Sequence, residues 1–477
     1  MNNIRILGAL LLLLGVTLEV KAQQKFTLEG AISYAIQNNL QLKQAKLTEA
    51  LDRESITGSY ANLLPDLNGS VQQSNQLGRS LNPTNNSYTN SNSHFLQGSL
   101  NGQIVLFGGF QKLNFIKQNK YQLEADQGRV ERAKNDAILN VLTYYLQMLS
   151  FQDLIVSIKQ KSDVSKLQLD NDQKKLDVGN ITEADLLQDK AQYAQDIQTM
   201  TTYQNNLDIA RTNLQQYMNL DLTQTFTVVR PDSVVIDGIK TEYNALDVLA
   251  KAQQVLPNIK IEEDQARVYK SALDVARAAY YPLLTLGASI SDVYSPSYRK
   301  FGNPVPTGRV DTTNFFTATG RDRILAPRFT PPSSTIQPLK EQLKNNLGKY
   351  YGFTLSVPLF NGWQTRINVR KAKINLSYQQ LNAEIARTTL NKTIVQAVID
   401  LRAADKKLAA DHLSSESLKR SFYYSQQRYN VGLLNSLDFN LAKSKYTVAE
   451  ATEIQDKYDL IFKAKVIDFY LGNKITL

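Results

Sequence analysis

The sequence predicts a mainly α-helical chain with a small β part, built from two copies of one structural unit. Three observations favour this fold class: long stretches without proline, an apolar repeat of coiled-coil type within them, and motifs that recur at an offset of 253 residues. The chain has 477 residues, with 54 Lys and Arg against 44 Asp and Glu. This length would suffice for about two to four ordinary domains.

The composition excludes several kinds of functional site. The chain has no cysteine and two histidines, His94 and His412, which lie far apart in the sequence. Disulfide frameworks, thiolate metal sites and multi-histidine metal sites therefore lack their ligands. No P-loop, dinucleotide-binding glycine pattern or nucleophile elbow occurs, and no nucleic-acid-binding motif accompanies the net charge of +10. We expect a protein that is not an enzyme, carries no cofactor or metal, and binds no nucleic acid.

The first 22 residues have the pattern of a secretory signal peptide. Arg5 provides a basic start, residues 6–16 are apolar, and Val20-Lys21-Ala22 places small residues where a signal peptidase reads them. We therefore expect residues 1–22 to be a signal peptide that is cleaved after Ala22. The alternative is a retained helical anchor, but the apolar stretch is short for a spanning helix, which needs roughly 20 residues.

Two proline-free stretches, between Pro83 and Pro231 and after Pro358, can hold very long helices. Proline costs about 3 kcal/mol inside a helix, so its absence over such lengths is informative. Apolar residues in the first stretch alternate spacings of four and three, which indicates a coiled-coil seam: Ala137, Val141, Tyr144, Met148, Phe151, Ile155 and Ile158. A second apolar stripe widens this face, as in a helix packed on two sides: Ile138, Leu142, Tyr145 and Leu149.

The chain is predicted to be an internal duplication. Two motif pairs recur at the offset of 253: Leu106-Phe107-Gly108-Gly109 with Leu359-Phe360-Asn361-Gly362, and Val178-Gly179 with Val431-Gly432. Nearer the start of each half the offset is 217, as for Pro65 and Pro282, so the second copy carries an insertion before Leu359. We expect a first structural repeat over 23–240 and a second over 241–477, the second with a long loop at 294–349.

Each repeat is expected to run helix, strand, loop, strand, long helix, tip and helix. In the first repeat the helices are expected over about 27–62, 110–177 and 182–218. At 1.5 Å per residue the middle helix would be roughly 100 Å long, far longer than a globular domain.

Four short segments alternate apolar and polar residues with period two: 65–74, 95–106, 283–291 and 350–360. Each has about the 9–11 residues of a membrane-spanning strand. The alternative is a soluble sandwich with one buried face, but we identify no other strand-rich region to supply its second sheet. Four strands cannot close a barrel, and lipid does not tolerate an open sheet edge. We therefore expect three copies to close a twelve-stranded membrane barrel, continued by a tube of their long helices.

Together these features resemble the TolC family of outer-membrane efflux proteins. The resemblance covers essentially the whole mature chain and rests on the opening run 31–40, the Leu-Phe-(Gly/Asn)-Gly signature at both strand-to-helix joints, and the Val-Gly tips. It implies a homotrimer with a barrel in the outer membrane of a diderm bacterium and a helical tunnel through the periplasm. It also implies two partners, a periplasmic adaptor (membrane fusion) protein and an inner-membrane pump. The function would be passive conduction of small molecules, metals or proteins in an efflux or type I secretion system.

The resemblance further implies roles for individual residues. The turns Val178-Gly179 and Val431-Gly432-Leu433 would be tips that bind the adaptor. Asp185, Asp438 and Tyr429 would constrict the periplasmic entrance as a gate. Each Asp has an alternative role as a helix N-terminal charge favoured by the helix dipole.

The eight residues of the recurring signature would form the strand-to-helix joints: Leu106, Phe107, Gly108, Gly109, Leu359, Phe360, Asn361 and Gly362. Three positions depart from the family's pattern. Asn180 replaces a leucine at the first tip, and Leu434 and Leu441 replace polar or charged gate residues.

The loop 294–349 holds nine Lys and Arg against three Asp and Glu, so it contains most of the excess positive charge. It is either a solvated proline-rich loop or a surface that touches anionic lipopolysaccharide. The alternative to a channel is a periplasmic coiled-coil scaffold or surface adhesin that does not conduct. A wide water-filled duct selects little, so we expect the pump upstream to choose the cargo.

Overall fold

The computed structural model describes residues 24–81, 86–90, 93–230 and 238–477. The signal peptide predicted over 1–22 lies outside these residues. The chain divides into two compact units. The helical unit comprises the described parts of Met1–Glu54, Lys120–Tyr269 and Asn375–Leu477, and the stranded unit comprises Ser55–Asn119 and Lys270–Ile374.

Most of the described chain is helical. The helices are α1 Leu28–Asn38, α2 Leu40–Ala61, α3 Gln111–Asp177, α4 Glu183–Met218, α5 Ala245–Val255, α6 Asn258–Ala278, α7 Leu339–Asn345, α8 Gln364–Asn430 and α9 Ser436–Leu471. α3 and α8 each have 67 residues, and α4 and α9 each have 36. The very long helices predicted from the proline-free stretches are thus confirmed.

The first helix differs from its prediction, because the segment expected as one helix over 27–62 is two helices that meet at Asn39. The Asn39 side-chain oxygen accepts the Leu42 N–H at 3.0 Å, and its amide donates to the Tyr217 carbonyl at 2.9 Å. An asparagine that caps a new helix start competes with continuation of the preceding helix. The break therefore comes from a side-chain cap that also ties α2 to the end of α4.

The core of the helical unit lies along the predicted apolar stripes of α3. Val141, Met148 and Ile158 from the first stripe and Leu142 and Leu149 from the second are fully buried. All of these except Ile158 belong to one cluster with residues of α1, α4, α9 and the parallel pair β1 Gln24–Phe26 and β6 Phe226–Val228. Both stripes are covered, which confirms that this helix packs on two sides. By composition one 18-residue window of α3 is apolar enough to cross a membrane, but half of it is buried in the protein.

The stranded unit contains a four-stranded antiparallel sheet. Its strands are β2 Asp66–Gln76, β5 Ser93–Gly108, β7 Leu283–Tyr294 and β12 Gly348–Ser356, in the order β12-β7-β5-β2. All four predicted strands are present. The last one ends at Ser356 instead of residue 360, so Leu359 and Phe360 lie beyond the sheet and are exposed.

The remaining strands lie beside the ends of this sheet. They are β3 Arg79–Leu81, β4 Tyr88–Asn90, β8 Arg299–Phe301, β9 Pro306–Phe316, β10 Arg323–Phe329 and β11 Ser334–Ile336. β9 pairs with β10, and β8 pairs with β11. The segment 294–349 is expected from the sequence to be a long loop, and the structure instead has four strands within it. Its prolines lie outside the strands except for Pro306, at the start of β9, and Pro327, within the two-stranded ribbon of β10, where a missing N–H donor is tolerated.

Candidate functional site

The two tips have the same backbone geometry. Gly179 and Gly432 both have φ of 77°, in the left-handed region that favours glycine. At the first tip the Gly179 N–H donates to the Leu176 carbonyl at 2.8 Å, and the following N–H reaches the Lys175 carbonyl at 2.8 Å. The second tip repeats this pattern with the carbonyls of Tyr429 and Arg428. Each tip is therefore a helix C-terminus closed by a Schellman turn.

The apolar side chains of the tips point into solvent. Val178, Val431 and Leu433 are each about 70% exposed. A Cβ added to Gly179 or Gly432 would meet no described atom within 4 Å, so these glycines are required by their φ and not by a lack of space. The tips thus present apolar groups on rigid turns, as a protein-binding surface does.

The two acids predicted to form a gate both lie in the first turn of a helix, three residues after its N-cap, and bond to that cap. Asp185 and Thr182 form a reciprocal capping box at the start of α4, with 3.2 Å bonds between each side chain and the other residue's N–H. The Asp438 N–H donates to Asn435 Oδ1 at 2.8 Å, and Asn435 donates back to the Asp438 carboxylate at 3.1 Å. The structure therefore gives both acids the helix-start role that was their alternative. Within one chain it brings neither acid to Tyr429.

Tyr429 lies instead against a different acid. Its hydroxyl is buried and donates to the carboxylate of Asp172 on α3. Its ring stacks on Phe439 of α9, with centroids 4.7 Å apart, and Lys175 lies over the ring at 4.9 Å. Lys175 also pairs with Asp172 at 2.8 Å. Tyr429 thus links α8 to both α3 and α9.

A second acid, Asp189 of α4, completes this group. Its Oδ1 accepts hydrogen bonds from Ser436 at 2.6 Å and from Asn440 at 2.7 Å, both on α9. The carboxyl groups of Asp189 and Asp172 are neighbours, and each shifts the pKa of the other. We call Asp172, Asp189, Tyr429, Ser436 and Asn440 the acid cluster. It joins α3, α4, α8 and α9 just behind the tips.

The acid cluster can hold a shared proton at acidic pH. Burial, and then the neighbouring Asp172, raise the pKa of Asp189 to about 6. Burial also opposes ionisation of Asp172, but hydrogen bonds from Asp189, Lys175 and Tyr429 outweigh it and hold the Asp172 pKa below its ordinary value. Two adjacent carboxyl groups can share a hydrogen bond only if one of them is protonated. Below about pH 6, a protonated Asp189 Oδ2, which has no hydrogen-bond partner among the described residues, can therefore donate to the Asp172 carboxylate.

A buried ion pair joins α3, α4 and α9 farther from the tips. Lys443 is 1% exposed. Its ammonium donates to Asp196 at 2.8 Å and to the Lys161 carbonyl at 2.9 Å, and it also contacts the Ser165 hydroxyl. Burial lowers the pKa of Lys443, and Asp196 opposes that effect. A charge in this position is tolerated because every proton of the ammonium has an acceptor.

The strand-to-helix joints also share one conformation. Gly109 and Gly362 both have φ of 61°, and the residues after them, Phe110 and Trp363, are also left-handed. In each joint this aromatic ring meets the phenylalanine of the signature edge to face, Phe107 in the first and Phe360 in the second. At Gly109 there is a further constraint, since an added Cβ would lie 2.7 Å from the Tyr281 Cβ.

The remaining joint residues support these turns. Leu106, Phe107 and Gly108 are the last residues of β5, where the pairing with β7 has an irregularity after Val105. Asn361 donates to the Thr365 hydroxyl at 2.5 Å, across the first turn of α8.

No pattern in the sequence marks Asp172 or Asp189 as a functional candidate. Asp172 precedes Lys175 by three residues, the spacing of an ordinary exposed ion pair on a helix. Among the described residues no group of three or more His, Asp or Glu side chains is arranged to hold a metal ion.

Comparison with known proteins identifies the family. Residues 31–220 and 342–473 match the family described as outer membrane efflux protein. The chain belongs to the outer membrane efflux protein family. This family consists of outer-membrane transport channels and not of enzymes. The resemblance seen in the sequence is confirmed, and the family match spans both long helix pairs and both tips.

Similar proteins support this fold over nearly the full length of the chain. An uncharacterised protein of Haemophilus influenzae is 22% identical over 447 residues, which cover 91% of this chain and 84% of the relative. The solved structure of CusC has a TM-score of 0.73 at 16% identity, covering 94% of this chain and 92% of CusC. The CmeC outer membrane channel of Campylobacter jejuni has a TM-score of 0.68 at 19% identity, covering 93% and 85%. The mainly α fold with a small β part is thereby confirmed.

Proposed function

We propose that three copies of this chain form an outer-membrane channel that serves as the passive exit duct of a tripartite efflux or type I secretion system. The observation that carries the proposal is the four-stranded sheet with two open edges, β2 and β12. In lipid an unpaired strand edge leaves backbone groups without partners, and a closed barrel removes the edge. Three sheets joined edge to edge would give a twelve-stranded barrel, within the known range.

The two faces of the sheet support this arrangement. Tyr351, Phe353 and Leu355 of β12 are paired with Ala288, Leu286 and Leu284 of β7, so these apolar residues share one face. The other face carries polar residues in register across neighbouring strands: Thr285, Ser289, Asn101, Gln103, Ser99 and Ser70. An apolar face toward lipid and a polar face toward a lumen are what a membrane barrel requires.

The proposal assigns the sheet to the outer membrane and the helices to the periplasm. The exposed tips, Val178-Gly179 and Val431-Gly432-Leu433, would then meet a periplasmic adaptor, which connects the duct to an inner-membrane pump. The equal lengths of α3 and α8, and of α4 and α9, support the division into repeats 23–240 and 241–477. A scaffold or adhesin without conduction would give no role to the apolar face of the sheet.

A gate is proposed at the periplasmic end, with Tyr429 as one of its residues. Asp185 and Asp438 are retained in that proposal, since a ring formed by three copies brings together acids that one chain keeps apart. Their capping bonds fix both carboxylates at helix starts, where the helix dipole favours a negative charge.

The test is purification of the mature chain in detergent followed by reconstitution in planar bilayers. We expect heat-modifiable trimers from outer-membrane fractions and discrete conductance steps. A protein that stays monomeric and never conducts would refute the channel.

The tips are tested by replacing Gly432 with Val, which cannot adopt φ of 77° without strain. We expect loss of efflux in cells while trimers still insert in the membrane. The control is Gly98→Val, at a strand glycine with no atom within 4 Å of an added Cβ. Normal drug resistance in the Gly432 variant would refute the proposal that this tip binds the adaptor.

A further inference from the structure

The segment between β7 and β12 folds into a structured arm, which we define as residues 298–337. Hydrogen bonds hold its base in place. Ser295 and Gln342 are fully buried there and form two hydrogen bonds with each other, of 2.9 and 3.0 Å. Asn346 adds a bond to the Val293 carbonyl at 2.7 Å. From this base the pair β8–β11 leads into the hairpin β9–β10. The arm is thus a ribbon held at one end.

The hairpin has one apolar face. The pairing of β10 with β9 places Leu325 opposite Thr312 and Arg323 opposite Phe316. On this face Val310, Phe316, Leu325 and Phe329 are all exposed. Arg323 lies over the Phe316 ring at 5.7 Å. An isolated two-stranded ribbon is marginally stable in water, so an uncovered apolar face on one calls for a partner.

The opposite face of the hairpin carries two arginines beside the exposed Phe315 and Ile324. Arg309 lies on this face by alternation along β9, and Arg328 lies there by alternation along β10. Arg328 is 3.8 Å from Asp311, at the outer limit of an ion pair. Arg321 follows in the turn before β10. The arm carries six Lys and Arg against two Asp and Glu. Its partner should therefore be both anionic and apolar.

Chain direction places the arm at one end of the sheet. β7 begins just after α6 ends and runs to the arm, and β12 runs from the arm back toward α8. The arm is therefore joined to the strand ends opposite to those that connect to α6 and α8. Under the proposed function, on which this step rests, that end faces the outside of the cell. The surface there is the outer leaflet, whose lipopolysaccharide combines phosphate groups with acyl chains.

We propose that the arm is a docking surface for the phosphorylated glycolipid of the outer leaflet, with the guanidinium groups of the hairpin bound to lipid phosphates. Arginine suits this role because its planar fork donates two parallel hydrogen bonds to a phosphate. The apolar face lies against the acyl region. A second copy of the chain is a poorer occupant, since the arms of three copies carry the same positive charge and repel one another.

The experiment measures binding of the full-length trimer in detergent to immobilised lipopolysaccharide by surface plasmon resonance. The test variant is Arg309→Gln, Arg321→Gln, Arg323→Gln and Arg328→Gln combined. The control removes the same charge from α8: Lys392→Gln, Arg402→Gln, Lys406→Gln and Lys419→Gln. A third variant, Phe316→Ser with Leu325→Ser, tests the apolar face.

We expect the arginine variant to bind about 1,000-fold more weakly, since it lacks four basic residues and each one near an anionic lipid surface contributes about 1 kcal/mol. The α8 control should bind like the wild type, and the apolar variant should bind more weakly than the wild type. Dephosphorylated lipopolysaccharide should bind the wild type as weakly as intact lipopolysaccharide binds the arginine variant.

Three results would each overturn the docking surface. They are equal binding by the wild type and the arginine variant, binding of phosphatidylglycerol vesicles as tight as that of lipopolysaccharide, and loss of trimers on substitution in the arm. Conductance in bilayers free of lipopolysaccharide separates this test from the proposed function. All variants should conduct there, and a chain that binds the glycolipid but never conducts would refute the channel and leave the arm assignment in place.

Discussion

The two helix pairs that end in tips, α3–α4 and α8–α9, have the same backbone geometry but differ in their buried polar side chains. Their helix lengths are identical and both turns have glycine at the same φ. Their buried polar groups are complementary. The first pair supplies the acids Asp172, Asp189 and Asp196, and the second supplies donors that bind them: Tyr429, Ser436, Asn440 and Lys443.

These partners are not at equivalent positions. At the offset of 253, the positions of the three acids correspond to Ser425, Ala442 and Ala449, and the position of Lys443 corresponds to Lys190. Identical acids on both copies would add more like charges to this interior, whereas donors on the second helix pair give each of the three acids at least one hydrogen-bond partner. Under the proposed duplication, the scaffold gains a specific interface only after its copies diverge.

The largest loss of stability should come from Lys443→Ala, which leaves Asp196 buried without its counter-ion. Removing one partner of a buried pair costs about 3–5 kcal/mol. The matched control is Lys190→Ala, at the equivalent but exposed position, where a change within about 0.5 kcal/mol is expected. Thermal unfolding followed by far-ultraviolet circular dichroism measures both. Equal effects at the two lysines would show that the asymmetry between the helix pairs does not matter for stability.

The second largest effect should be on the pH dependence of the stability. Asp189 has a pKa of about 6 in the folded chain and 3.8 ordinarily, so the folded state binds more protons between these values. Its contribution to stability is therefore greatest at acidic pH and is lost as pH rises through about 6. Relative to the wild type, Asp189→Asn should remove this part of the pH dependence, by no more than about 3 kcal/mol. Parallel stability curves for the two proteins from pH 4 to 8 would contradict the shared proton.

A smaller effect is expected for Tyr429→Phe. It removes the hydroxyl that donates to the buried Asp172 carboxylate and should cost about 1–3 kcal/mol. The control is Tyr424→Phe on the same helix, whose side chain is exposed and whose loss should be nearly neutral. If the proposed gate is correct, the Tyr429 variant should also conduct more in planar bilayers. Unchanged conductance together with lowered stability would leave Tyr429 a purely structural link.

The smallest effect on stability should come from Asp185→Ala and Asp438→Ala. Each substitution disturbs one helix start and should cost about 1 kcal/mol. Conductance separates the two roles of these acids: a carboxylate ring at the entrance predicts a higher conductance in the double variant. Caps alone predict the small loss of stability with an unaltered current. Glu183→Ala, in the same first turn of α4 but outside the capping box, is the control.

The sequence was sufficient for the elements whose signals are local. Long helices follow from the absence of proline, tips from Gly179 and Gly432, and the four sheet strands from period-two alternation. It was insufficient where a single side chain changed the path of the chain, as Asn39 does between α1 and α2. The strands of the arm were not predicted either, because seven prolines between residues 294 and 349 are typical of a loop. The pairing of these strands depends on contacts between β9 and β10 and not on a local pattern.

By itself the sequence determined the family, the duplicated order of elements and the turns at which each helix pair reverses, because these depend on residues close together in the chain. Only the tertiary structure decided that Tyr429 bonds to Asp172, that burial raises the pKa of Asp189, and that Lys443 pairs with Asp196. Tyr429 and Asp172 are 257 residues apart. Whether such distant side chains meet depends on the rotation and register of packed helices, which no local pattern encodes.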